Sequence, residues 1–83
     1  MPKAFVLIQV EPGREKDALK ELRELGAVEE AYLVHADRLV YADYDIIAKI
    51  VAESGEGLKK IVSDHIRKMD TIKSTATSII IES

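Results

Sequence analysis

The chain has 83 residues, 12 of them basic and 15 acidic, a net charge of −3 and no cysteine. A chain of this length makes one domain, spanning residues 1–83, and buries only about 60–65% of its unfolded surface. Absent cysteine excludes disulfide and thiolate chemistry, the interspersed charges leave no basic stripe for nucleic acid, and no apolar run reaches the roughly 18–20 residues of a membrane span. The opening "MPKAFVLIQVEPG" has no signal-peptide cleavage pattern, so the cytoplasm is the expected location.

"KAFVLIQV", residues 3–10, is β-branched and apolar and is closed by Pro12-Gly13, which predicts a strand. From Arg14 the period changes: Ala18, Leu19, Leu22 and Leu25 fall at helical spacing, and Gly26 ends the helix. "VEEAYLV", residues 28–34, predicts a second strand and residues 44–51 a third. Ser54 is the expected N-cap of a second helix, with Glu56 in its first turn and Leu58, Ile61, Val62, Ile66 and Met69 as its apolar stripe. "IKSTATSIIIE", residues 72–82, predicts the last strand. A weak internal repeat relates the halves: Leu25 and Met69 each stand three residues before the apolar residue that opens a strand.

The order β-α-β-β-α-β predicts an α+β fold, a ferredoxin-like plait with two helices on one face of a four-stranded antiparallel sheet. Strands one and four are expected at the centre, so that the tip between strands two and three projects. Ala4, Val6, Ile8 and Val10 should meet the helices. Phe5, Leu7 and Gln9 should then face outward with Ile47, Lys49 and Val51, and with Thr75, Thr77, Ile79 and Ile81. That outer face is too apolar for a solvated sheet. A second copy packing sheet to sheet is the simplest cover, with Phe5, Leu7, Ile47, Val51 and Ile79 at the dimer interface.

With these elements in place, "AFVLIQVEPGREKDALKELRELGAVEEAYLV", "YADYDIIAKI" and "IVSDHIRKMDTIKSTATSII" resemble the effector-binding (RAM) domain of Lrp/AsnC transcription regulators, over about residues 4–81. The resemblance implies pairing as a dimeric α/β barrel, assembly of homodimers into higher oligomers, and amino-acid effectors held where dimers meet. No helix-turn-helix precedes the first strand, so the expectation is a stand-alone module. Such a module would act either by assembling with full-length Lrp/AsnC regulators or as an independent sensor. Three departures stand out. Ala42 replaces a glycine before "Y-D", "HADRLVY" at residues 35–41 reads as an insertion, and Asp70-Thr71 replaces Pro-Gly.

Two stretches are candidate effector sites. In "YADYD", Tyr41, Ala42, Asp43, Tyr44 and Asp45 offer acids for an ammonium group and backbone N–H groups for a carboxylate. The same acids also favour a turn. In "STATS", Ser74, Thr75 and Thr77 offer hydroxyls, although threonine is equally a good strand former. His35-x-Asp37 lacks a third metal ligand, His65 lies beside a helix stripe, and no nucleophile has an evident base. Gly55 and Gly57 lack the Lys-Ser or Lys-Thr of a phosphate loop. The expectation is therefore an amino-acid-binding and oligomerisation module, not an enzyme, with no cofactor and no metal. The competing readings are a dimeric α/β-barrel enzyme of monooxygenase or isomerase type, and a structural oligomer with a vestigial site.

Overall fold

A computed structural model describes residues 1–34 and 44–81. The elements are β1 (Lys3–Val10), α1 (Glu15–Glu24), β2 (Val28–Leu33), β3 (Ile46–Val51), α2 (Gly55–Lys60), a π-helical continuation of α2 (Ile61–Ile66) and β4 (Ile72–Ile80). All strand pairings are antiparallel, in the order β2-β3-β1-β4. The α+β plait is as expected, with one correction. β1 and β3 hold the centre, and β4 is an edge strand alongside β1.

The local reasons match the sequence. Gly13 takes the only positive φ among the described residues, +84°, in the turn that follows β1. Ser54 Oγ accepts from Gly57 N–H at 3.0 Å and caps α2. The internal repeat has a physical counterpart. Val28 N–H donates to Leu25 O at 3.0 Å and Ile72 N–H to Met69 O at 3.1 Å, so one turn opens β2 and β4 alike.

The next residue in each half is a bulge. Val28 and Glu30 pair with Ile50 and Lys49, which leaves Glu29 as the extra residue. Ile72 and Ser74 pair with Val10 and Gln9, which leaves Lys73 as the extra one. A one-residue insertion turns every later side chain to the opposite face. This overturns the expected facing of the last strand. Thr75, Thr77 and Ile79 pair with Ile8, Val6 and Ala4, so they share the helix-side face. Ser74, Ala76, Ser78 and Ile80 take the open face instead. Ile79 therefore does not belong with the dimer-interface set. Phe5, Leu7, Ile47 and Val51 do share the open face, through the pairs Lys3–Val51, Phe5–Lys49 and Leu7–Ile47.

The core lies between the helices and the two central strands. Ala4, Val6, Ile8, Ile46, Ala48 and Ile50 are at most 1% exposed, and Ala18, Leu22, Leu58 and Ile66 are fully buried against them. Arg23 fastens α1 to the β2 edge by donating from both Nε and Nη2 to Ala31 O, at 3.1 and 2.8 Å.

Candidate functional site

The helix layer does not close over β4. Between its helix-side face and α2 with the π-helical turn lies a groove of about 410 Å³, lined by Leu58, Lys59, Val62, Ser63, Arg67, Thr75, Thr77 and Ile79. That volume lies within the range of small-molecule sites. Leu58 and Val62 form an apolar floor, while Ile79 stays 44% exposed at one end.

The π-helical turn shapes this groove. Arg67 N–H donates to Val62 O at 2.8 Å, an i→i−5 bond. In an α-helix a residue five positions on would sit roughly 140° round the axis. The wider turn brings Arg67 back over Val62, and Arg67 Nε donates to Thr75 Oγ1 at 3.1 Å. The guanidinium is thus held across the groove with its terminal nitrogens free of partners among the described residues. Ser63 Oγ lies 3.2 Å from Asp64 Oδ1 and 3.5 Å from Lys60 O. Sequence periodicity marked the Leu58–Val62–Ile66 stripe but gave no sign of the extra residue per turn, so Arg67 and Ser63 went unnoticed as groove residues.

The expected site residues divide sharply. Thr75 and Thr77 line the groove. Ser74 points to the open face, where its Oγ donates to Gln9 Oε1 at 2.9 Å. Asp45 is committed to the fold: its Oδ2 accepts from Val10 N–H at 2.8 Å, its N–H donates to Ile8 O at 2.8 Å, and its carbonyl accepts from Val34 N–H at 2.9 Å. The bonds to Val10 and Ile8 tie the start of β3 to the end of β1, across the sheet and not within a local turn. Tyr44 is half-buried beside it. Tyr41, Ala42 and Asp43, with His35, Asp37 and the rest of the inserted stretch, lie outside the described residues. Asp45 and Ser74 reach the same end of the sheet but flank β1 on opposite sides, about 9–10 Å apart at two strand spacings.

The open face carries a second feature. Phe5 is 38% and Tyr32 50% exposed, and Leu7, Ile47, Val51 and Ile80 are half-buried around them. Lys49 crosses this surface, 5.8 Å from the Phe5 ring centre and 3.9 Å from Glu30 Oε2. Tyr32 OH donates to Glu30 Oε1 at 2.7 Å, and that carboxylate raises the phenol's pKa above its ordinary value. The described residues hold no group of three metal-ligating side chains and no helix long and apolar enough to cross a membrane. His65 is exposed beside a shallow pocket with Leu25, Gly26, Ala27 and Ile61.

Residues 3–83 match the family model described as the Lrp/AsnC ligand binding domain. Among solved structures, FFRP-DM1 is 33% identical with a TM-score of 0.85, over 98% of this chain and 100% of its own. The protein PHS023 from Pyrococcus horikoshii is 32% identical with a TM-score of 0.83, over 100% of this chain and 93% of its own. AsnC of E. coli is 26% identical with a TM-score of 0.82; 99% of this chain covers 52% of that regulator. A regulator of Neisseria meningitidis, NMB0573, solved as an L-Met complex, shares the fold at 13% identity and a TM-score of 0.77. No curated protein sequence matches.

Proposed function

This chain belongs to the Lrp/AsnC ligand-binding domain family, a family of effector-binding regulatory domains, and from that premise we propose that it binds a free amino acid in the groove over β4 and self-associates through its open sheet face. The observation that carries the reading is the break in the helix layer. Every helix-side residue of the central strands is aliphatic and dry, whereas Thr75 and Thr77 present hydroxyls to a small-molecule-sized space. A zwitterion needs donors and acceptors beside an apolar wall, and this groove supplies all three. The L-Met complex of NMB0573 supports an amino acid as the ligand class.

Self-association follows from Phe5, Leu7, Ile47, Val51, Ala76 and Ile80 on the face opposite the helices. Two such faces packed together remove an apolar patch that monomers rarely expose. A ligand that binds only the assembled form would stabilise the assembly by mass action, which links sensing to oligomer state. The module acts in the cytoplasm and without catalysis, by assembling with complete regulators of its family.

Thermal-shift screening of the twenty amino acids, repeated on Thr75→Val and Thr77→Val, tests the groove. Stabilisation of the native protein by some amino acids and its loss in the variants is expected. Silence at millimolar concentrations of all twenty would refute it. Sedimentation tests the pairing: a species of at least twice 9.2 kDa is expected, and Leu7→Glu should dissociate it.

A further inference from the structure

The charges of the groove say which amino acids it prefers. Its lining holds two cations, Lys59 and Arg67, three hydroxyls, on Ser63, Thr75 and Thr77, and no carboxylate among the described residues. Neither cation takes part in an ion pair among those residues. Asp64, adjacent to Ser63, is not part of the lining.

Arg67 is also held in place before any ligand arrives. Its backbone is fixed by the i→i−5 bond to Val62, and its Nε is engaged by Thr75 Oγ1. The remaining guanidinium nitrogens form a fork suited to the two oxygens of a carboxylate, and a preordered fork loses less entropy on binding than a free one. A neutral amino acid supplies one carboxylate and one ammonium, which leaves one cation of the groove unmatched and sets the ammonium among cations. A basic amino acid adds a further repelled charge. A dicarboxylic amino acid supplies a carboxylate for each cation and leaves its single ammonium to the hydroxyl oxygens.

Resting on the effector-binding reading above, we infer that the groove selects acidic amino acids, glutamate or aspartate, with one carboxylate on Arg67 and the other on Lys59. The amides are the sharpest comparison, because glutamine and asparagine keep the shape and remove only the charge.

Calorimetry should therefore be run with glutamate, aspartate, glutamine, asparagine, leucine, methionine and lysine on the native protein. It should be repeated on Arg67→Gln and Lys59→Gln. Both side chains are exposed, so the variants should fold, and equal unfolding temperatures without ligand check this. The acid is expected to bind at least about tenfold tighter than its amide. Affinity should fall with added salt, and Arg67→Gln should abolish the preference. If an amide, an aliphatic or a basic amino acid binds as tightly as the acids, or if Arg67→Gln leaves glutamate binding intact, the inference is overturned while the groove remains an effector site. If none of the seven binds the native protein, the inference is overturned, and the effector reading then stands or falls on the screen of all twenty amino acids.

Discussion

The centre and the edge of one sheet layer are built to opposite specifications. Over β1 and β3 the helix-side residues Val6, Ile8, Ile46, Ala48 and Ile50 are at most 1% exposed. One strand further out, in the same layer and paired residue for residue with β1, Thr75, Thr77 and Ile79 face an open groove. Two backbone irregularities make the difference. The bulge at Lys73 turns the threonines inward, and the π-helical turn sets Arg67 above them. A small domain can give up core only at its edge, since its centre holds nearly all the burial it has. The edge is accordingly where polar chemistry is placed.

The largest contrast is expected in stability. Ile8→Ala removes a fully buried side chain at the centre and should cost about 2–5 kcal/mol in urea unfolding. Thr77→Val, one strand away and paired with Val6, should change stability by less than about 0.5 kcal/mol. Equal costs would mean that the groove is closed core.

Asp45→Ala sharpens the boundary between the fold and the site. It removes the acceptor of Val10 N–H and should cost about 1–3 kcal/mol, because a part-buried donor is left unpaired, while amino-acid binding in the groove persists. Loss of binding at unchanged stability would return Asp45 to the site. Ser54→Ala should cost about 1 kcal/mol through loss of the α2 cap, and it should loosen the groove wall before the centre, visible as faster amide exchange in α2 than in β1.

The smallest effect concerns the open face. Hydrogen bonding to Glu30 raises the Tyr32 pKa above the ordinary 10.0. A raised folded-state value means that this contribution is fully present below the ordinary pKa and is lost as pH rises through the folded one. Ring-carbon NMR should place Tyr32 titration above 10, and Glu30→Gln should lower it. No change in the variant would show that the contact is absent in solution.

How much of this was legible in the sequence follows the same division. Over Lys3–Val10 and Ile46–Val51 the facing of the central strands was legible, because one alternating set is wholly apolar while the other carries Lys3, Gln9 and Lys49. In "IKSTATSII" both alternating sets mix isoleucine with small polar residues, so the pattern has no preferred face and cannot reveal a bulge. The family resemblance pointed to Thr75 and Thr77 without saying which way they turn. Asp45, read as either turn or site, proved to be bonded into the end of β1. The π-helical turn left no mark in the periodicity, because Leu58, Val62 and Ile66 are spaced as an α-helix would space them.

The central claim, that the opening over β4 is the effector site, is tested most directly by amide and side-chain NMR during titration with the amino acid that stabilises the protein best. The account predicts shifts concentrated at Ser63, Arg67, Thr75 and Thr77, with Val6, Ile8 and Ile50 nearly silent. Shifts concentrated at Phe5, Leu7 and Ile47 on the open face, with the groove silent, would contradict it.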